Sequence, residues 1–246
     1  MATTMSRERE RKEMTTRIRI GAALAFGLCA SSFGNVLLYQ PSLGTMPQAQ
    51  GWTFNGSFNA PAIVSGGQLT YGPTTVGGTT FWGHEPVDTI DFSTDTVFIE
   101  AEIRLTGSDF GNFSGFRRAG FSLLISDDVG RWIIADLGDN RISLGNDNNR
   151  TSDPSAVFDL TTSFHLVRLE AGPTGGRLLV DGVEQLTLAL GTGRTGGAEG
   201  WFGEGTTLAN ANQTEIRHAQ YIPAPGSALL TLAGVAIAAK RRCTRA

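Results

Sequence analysis

The 246-residue sequence contains only two cysteines and two lysines, and all four lie near the chain ends. The cysteines are Cys29 and Cys243, and the lysines are Lys12 and Lys240. Residues 33–222 therefore have no thiol for a disulfide or for a cysteine-based zinc site. A domain of this length can be stabilised by burial of apolar side chains alone.

Positive charge is also scarce between the ends. Residues 33–222 contain ten arginines against twenty acidic residues, a net charge of −10, whereas residues 223–246 carry four basic residues and no acidic one. Binding to nucleic acid depends on cations that displace counterions from phosphates. The acidic middle segment therefore excludes nucleic acid as a partner, and the basic ends need a separate explanation.

Recognisable catalytic and cofactor motifs are absent as well. The sequence has no HExxH and no GxSxG. GTGRTGG (191–197) contains GxGxxG, but a dinucleotide site requires a helix directly after the glycines, and the following AEGWFGEG has no helical periodicity. His84, His165 and His218 are far apart in sequence, and we interpret them as single histidines on β-structure.

The beginning of the chain has the pattern of a secretory signal peptide. A basic region precedes an apolar run over 20–30, and Ala30 and Ser32 are the small residues at −3 and −1 of a cleavage site before Phe33. The run is too short for a stable membrane span. We expect residues 1–32 to be a signal peptide and the protein to be exported; a buried N-terminal helix is the alternative.

The end of the chain combines a proline-glycine motif, an apolar stretch and basic residues. Residues 227–239 are uncharged and, as a helix, would cover about 20 Å of a hydrocarbon core roughly 30 Å thick. Adding residues 223–226 reaches the lower limit of a membrane span. We expect a short transmembrane helix that a cytoplasmic leaflet would stop at the basic cluster. That cluster is Lys240, Arg241 and Arg242.

This end resembles the C-terminal sorting signal of PEP-CTERM proteins, in the form that carries PAPG. The resemblance covers residues 223–246, and Ala224 stands where many relatives have Glu. It implies handling by an exosortase-type membrane protease, a transient membrane association and a final place in the cell envelope or outside the cell. The recognised residues would be Pro223, Ala224, Pro225 and Gly226.

The middle segment consists of short apolar runs separated by turn residues. In TVFIEAEIRL (96–105), apolar residues alternate with Glu100, Glu102 and Arg104, the period of a half-buried antiparallel strand. Asp181-Gly182 in GRLLVDGVEQL predicts a two-residue β-hairpin. Because no amphipathic helix interrupts the strands, we predict an all-β domain over 33–222, an antiparallel two-sheet jelly-roll sandwich.

The order of FIEAEIRL, GFSLLISD, GRWIIADLG and FHLVRLEAG…VDGVEQL resembles that of concanavalin A-like (laminin-G-like) domains. The resemblance implies a curved sheet whose concave face or rim loops bind glycans. Our leading hypothesis is an exported, non-catalytic protein that binds an extracellular glycan or polymer. A glycoside hydrolase or lyase of the same fold and a purely structural matrix protein are the alternatives.

Two acidic residues bear on the hydrolase alternative. Glu100 and Glu102 share a strand face with Cα atoms roughly 7 Å apart, a spacing that does not exclude glycosidase catalysis. Arg104 beside them favours a solvated, charge-balanced face. Trp82, in the turn-like TFWGHEP, is our candidate for an exposed platform on which a sugar ring could stack.

Acidic and amide-rich loops offer the oxygen ligands that Ca²⁺ prefers. The candidate calcium ligands are Asp136, Asp139, Asp147 and Asp153. The alternative is that these residues serve only as ordinary turn formers.

We expect the protein recovered from the envelope or medium of the producing cell to lack both end segments, because each carries a processing signal. Intact-mass spectrometry measures this directly. A mass equal to that of all 246 residues would contradict the prediction.

Overall fold

The computed structural model describes residues 36–56, 62–72, 80–86, 89–106, 120–146, 153–204 and 213–223. All of them belong to the unit Asn35–Ala224. The predicted signal peptide with Ala30 and Ser32, and the sorting segment from residue 224 onwards, lie outside the described residues. None of the helices within the described ranges is long and apolar enough to cross a membrane.

The described residues form fifteen β-strands and two short 3-10 helices, the helices at Pro41–Leu43 and Pro47–Gln50. All strand pairs are antiparallel, and the strands make two sheets. The strands of the first sheet are β1 (Leu37–Tyr39), β3 (Ala62–Ser65), β4 (Gln68–Tyr71), β6 (Val97–Thr106), β11 (His165–Gly172), β12 (Gly175–Val180), β13 (Val183–Leu188) and β15 (Gln213–Pro223). Their order is β13-β12-β11-β6-β15-β4-β3, with β1 beside β15.

The strands of the second sheet are β2 (Thr53–Phe54), β5 (Thr80–His84), β7 (Phe121–Ser126), β8 (Trp132–Leu137), β9 (Arg141–Gly145), β10 (Ser155–Val157) and β14 (Glu199–Glu204). Their order is β10-β9-β8-β7-β14-β5-β2. The predicted all-β, antiparallel two-sheet sandwich is thereby confirmed for the described residues.

The core lies between the inner faces of the two sheets and is rich in aromatic rings. Trp82 of β5 stacks on Phe202 of β14, with ring centroids 5.5 Å apart. Trp52 meets the same Phe202 edge-on at 4.7 Å, and Tyr71 of β4 meets Trp82 at 5.9 Å. Each buried aromatic side chain removes about 150–250 Å² from water, so this cluster joins the sheets without a disulfide.

Two local predictions are confirmed. In β6 the alternate residues Val97, Ile99, Ala101, Ile103 and Leu105 are fully buried in the core. The hairpin between β12 and β13 turns at Asp181 and Gly182, whose φ angles are 52° and 78°. Positive φ at both central residues is the requirement of the turn that suits a two-residue hairpin.

The turn between β7 and β8 is organised by a buried carboxylate. Asp127 is 0% exposed. Its oxygens accept hydrogen bonds from the backbone N–H of Phe92 (3.1 Å), Val129 (3.2 Å) and Arg131 (2.8 Å), and from the Arg131 guanidinium (2.7 Å). The next residue, Asp128, accepts from Ile90 and Ala198. The two aspartates thus tie three separate chain segments together.

We expect Asp127→Asn to lower the free energy of unfolding by about 2–4 kcal/mol, because an amide removes the charge and turns an N–H₂ group toward backbone donors. Urea unfolding measures the change. Asp159→Asn is the matched control: Asp159 is exposed and accepts from Thr161 in a local turn, which asparagine also forms. Equal stability of both variants would contradict the role of Asp127.

Candidate functional site

The outer face of the second sheet, which points away from the core, carries a second apolar cluster. We call it the outer cluster; its buried members are Leu124, Trp132, Ile134 and Trp201, and Phe81 packs against them. Leu124 of β7 pairs with Trp201 of β14 on one side and with Ile134 of β8 on the other. Because opposed residues of neighbouring strands point to the same face, these side chains form a continuous row.

Two glycines make room for the aromatic part of the outer cluster. Gly83 of β5 is opposite Trp201, and Gly203 of β14 is opposite Phe81. The missing side chains let Phe81 and Trp201 approach diagonally, with ring centroids 5.1 Å apart. Gly203 has a φ of 131°, a conformation that residues with a Cβ rarely adopt. A Cβ at Gly203 would lie 2.6 Å from Phe81 Cα, so the aromatic contact depends on glycine at this position.

A polar row runs beside the outer cluster on the same face. Ser122 of β7, Asp136 of β8, Ser143 of β9 and Ser155 of β10 oppose one another across four strands. The Ser122 hydroxyl donates to Asp136 Oδ1 at 2.8 Å. The first three of these residues are each 1% exposed. Aromatic rings and directional hydroxyl and carboxylate groups thus share one face of the sheet, where neighbouring parts of the protein cover most of their area.

The glycine-rich stretch GTGRTGG closes one side of this face. Gly191 and Trp132 exchange both backbone hydrogen bonds, at 3.1 and 2.9 Å, and a Cβ on Gly191 would lie 1.8 Å from the carbonyl oxygen of Asn146. Arg194 places its guanidinium 5.9 Å from the Trp132 ring centroid and binds Glu199 Oε1 through Nε at 2.8 Å. Strand β14 follows directly, so the prediction of a loop rather than a dinucleotide motif is confirmed.

The prediction that Trp82 is an exposed platform for a sugar ring is wrong. Trp82 is 0% exposed in the core, and its indole N–H donates to Gln48 Oε1 at 3.1 Å. The parity of β5 decides this, because Trp82 alternates with the outward Phe81. The tryptophans on the outer face are Trp132 and Trp201, which no sequence signal distinguished from the inward pair Trp52 and Trp82.

The structure does not gather the predicted calcium ligands that it describes. Asp136 lies within β8, Asp139 in the turn after it, and Asp153 just before β10, with β9 between Asp136 and Asp153. Asp147 is outside the described residues. Among the residues described, no three His, Cys, Asp or Glu side chains form a group that could hold a metal ion. Calcium binding stays a prediction.

Glu100 and Glu102 lie on the outer face of the first sheet, where arginines engage them. Arg168 contacts Glu100 at 2.5 Å, and Gln220 donates to the other carboxylate oxygen. Glu102 faces Arg217 at 3.8 Å, and Arg104 binds Glu215 at 2.6 Å. The predicted charge balance agrees with this geometry, but the prediction that the face is solvated is wrong for Glu100, which is 4% exposed because these partners cover it.

The environment of Glu100 favours its ionised form. Burial, the largest effect, opposes ionisation, but His218 at 3.8 Å and Arg168 outweigh it and hold the pKa of the Glu100 carboxyl below its ordinary value. A retaining or inverting glycosidase needs one carboxyl group with a raised pKa to act as the acid. Glu100 is shifted in the opposite direction.

A cleft of about 720 Å³ lies along β11, β12 and β13. Its charged residues pair with one another: Arg177 binds Glu170 at 2.5 Å and faces Glu184 at 3.7 Å. Glycines and backbone form much of the remaining wall, and no aromatic residue lines it. It therefore lacks the combination of ring and polar group that the outer face of the second sheet provides.

No protein-family model and no curated protein matches this sequence. Solved structures resemble its fold. A carbohydrate esterase from the Shiga toxin-encoding bacteriophage phi24B aligns with a TM-score of 0.54 at 13% identity, over 77% of this chain and 98% of the other. The carbohydrate recognition domain of Emp46p aligns with a TM-score of 0.47 at 13% identity, over 72% and 91%. At 13% identity the likeness to the esterase shows a shared fold alone.

We expect Glu100→Gln to lower the free energy of unfolding by about 2 kcal/mol at pH 7, because the ionised carboxylate is the form that Arg168 binds. A lowered pKa in the folded state stabilises the protein above the ordinary glutamate pKa, and this contribution is lost as the pH falls. The difference from wild type should therefore shrink below about pH 4. Urea unfolding at both pH values measures it.

Glu102→Gln is the matched control, since its half-exposed carboxylate should contribute less than about 0.5 kcal/mol. A Glu100→Gln variant with unchanged stability and a lost carbohydrate-cleaving activity would instead support the glycosidase alternative.

Proposed function

We propose that the protein is a carbohydrate-binding β-sandwich whose ligand face is the outer surface of the second sheet, around Trp132 and Trp201. The observation that carries this proposal is the outer cluster lying beside the polar row Ser122–Asp136–Ser143. A sugar ring has apolar C–H faces and a rim of hydroxyls. It needs an aromatic surface and, next to it, directional hydrogen-bonding groups.

The contrast between the two outer faces supports this assignment. On the first sheet, the polar groups are arginines and glutamates that bind one another at 2.5–2.6 Å. On the second sheet, the buried members of the outer cluster and Ser122, Asp136 and Ser143 are each 7% exposed or less. One ion pair, Arg194–Glu199, lies beside Trp132. A neutral, hydroxyl-rich ligand gains little from replacing a paired salt bridge. It gains more from an aromatic ring and hydroxyl groups.

The similarity in fold to the phage carbohydrate esterase is consistent with a carbohydrate ligand. We further propose that this face binds without catalysis and that the protein works at the cell surface or in the extracellular matrix. Support for that location comes from the signal-peptide pattern at 1–32 and the PAPG sorting pattern at 223–246. An exosortase-type protease and, transiently, the membrane would then be its partners during sorting.

Trp132 and Trp201 are only 6% and 7% exposed, so a sugar can contact just the small accessible part of each ring. Contact there would change the surroundings of the rings and hence their fluorescence. We expect titration with the fitting polysaccharide to shift the tryptophan emission of the purified protein. Trp132→Phe and Trp201→Phe should weaken binding by about two- to tenfold, the range that aromatic contacts contribute. Glycan arrays and fluorescence titration together measure both effects.

Trp52→Phe and Trp82→Phe are the matched controls, because both rings lie in the core. They should leave the affinity unchanged, whatever they do to stability. Binding that survives both outer substitutions would place the ligand elsewhere. Failure to bind any glycan would leave a structural matrix role.

A further inference from the structure

His165, the first residue of β11, lies between a hydroxyl and a carboxylate. Its Nδ1 atom is 2.7 Å from Asp181 Oδ2, and its Nε2 atom is 3.0 Å from Ser163 Oγ. A hydroxyl on Nε2 and a carboxylate on Nδ1 is the arrangement that turns serine into a nucleophile. Neither the spacing of these residues nor any sequence motif indicated that the three side chains meet.

The fold explains why the three side chains meet. Ser163 lies in the bend directly before β11, two residues from His165, and this bend brings its hydroxyl to the imidazole. Strand β12 runs antiparallel to β11 with Val180 opposite Val167, which brings the β12–β13 turn beside the start of β11. Asp181 is then fixed there by its own N–H, which donates to the Leu166 carbonyl at 2.8 Å.

Hydrogen bonding selects the tautomer of the imidazole in its neutral form. Asp181 Oδ1 also accepts from the Leu166 N–H at 3.0 Å. Burial works against ionisation, but the bonds from His165 and Leu166 outweigh it and lower the pKa of the Asp181 carboxyl. An ionised carboxylate only accepts, so Nδ1 must carry the hydrogen. The neutral ring then has its lone pair on Nε2, where it accepts the Ser163 hydroxyl proton.

The surroundings hold the ring and leave the nucleophile open. Phe158 packs edge-on against the imidazole, with centroids 5.2 Å apart at 87°, and the His165 side chain is 15% exposed. Ser163 is exposed to solvent. Apart from Asp181, the charged neighbour that acts on this histidine is Asp159, from the segment before β11. A substrate can therefore reach the serine while the base stays oriented.

We propose that Ser163, His165 and Asp181 form a hydrolytic triad that cleaves carboxylic esters. Ser163 Oγ attacks the ester carbonyl carbon while His165 Nε2 takes the serine proton. The ester C–O bond then breaks, the alcohol leaves with the proton from Nε2, and an acyl-Ser163 remains. Water, deprotonated by the same nitrogen, attacks the acyl carbon and releases the carboxylic acid, which restores the serine.

This activity goes beyond the proposed carbohydrate binding and does not depend on it, because none of the three residues belongs to the outer cluster or the polar row. A purely structural role is the competing explanation. In that case the His165–Asp181 pair would only fasten the hairpin, and the Ser163 hydroxyl would be dispensable. The experiment must therefore measure whether the Ser163 hydroxyl itself reacts.

The purified protein is treated with p-nitrophenyl acetate and, separately, with a fluorophosphonate that labels activated serines. We expect hydrolysis, and one covalent adduct that peptide mass spectrometry locates on Ser163. Ser163→Ala and His165→Gln should each lower the hydrolysis rate by about 100-fold or more. Asp181→Asn should also lower it, because an amide can stabilise the wrong imidazole tautomer.

The controls are Ser42→Ala, an exposed serine elsewhere in the chain, and His218→Gln, a histidine on the first sheet. Both should hydrolyse the ester at the wild-type rate. Thermal melting should show Ser163→Ala as stable as wild type. The proposal is overturned if Ser163→Ala retains the rate, since a histidine alone then performs the hydrolysis, or if the fluorophosphonate leaves Ser163 unlabelled.

Discussion

The alternation of side chains along antiparallel strands is the constraint on which the rest of this structure depends. Each strand sends every second residue into one shared core, so the inner faces must be apolar and closely packed. Trp52, Trp82 and Phe202 fill much of that space, and the described part of the chain has no disulfide or metal cluster to help. Only the two outer faces and the rims of the sandwich are then free to differ in chemistry.

The outer faces use that freedom in different ways. The first sheet carries arginines between glutamates on neighbouring strands, as in Arg168 with Glu100 and Arg104 with Glu215. The planar guanidinium has five donors and can bind carboxylates while its flat face lies over a ring, as Arg168 does over Phe98 at 4.2 Å. The ammonium group of lysine lacks this planar fork, so arginine suits these carboxylate pairs better. On the outer face of the second sheet, aromatic rings lie beside hydroxyl groups.

Patterns within a few consecutive residues predicted individual strands and turns. Which side chains face outward, and which meet across strands, depends on the pairing register. The alternation in β6 and the Asp181-Gly182 hairpin are both contained in a few consecutive residues. Whether Trp82 or Trp132 faces outward depends on how each strand pairs with its neighbours, because a shift of one residue exchanges the faces. Histidines far apart in sequence looked isolated for the same reason: the contact between His165 and Asp181 exists only through the pairing of β11 with β12.

Asp181 shows how one position can satisfy two demands. The hairpin needs a residue that tolerates positive φ, and asparagine, aspartate and glycine all do so. The turn alone therefore does not require a carboxylate. Contact with His165 does distinguish the three, because only a carboxylate accepts without donating and so keeps the hydrogen on Nδ1.

Exposure of the turn to solvent weakens the hydrogen bond between Asp181 and His165, since water competes for both partners. Two contacts reduce this competition from water. The Leu166 N–H donates to the second carboxylate oxygen of Asp181, and the Phe158 ring packs against the imidazole. The choice of aspartate is thus better explained by its histidine partner than by the turn that it makes.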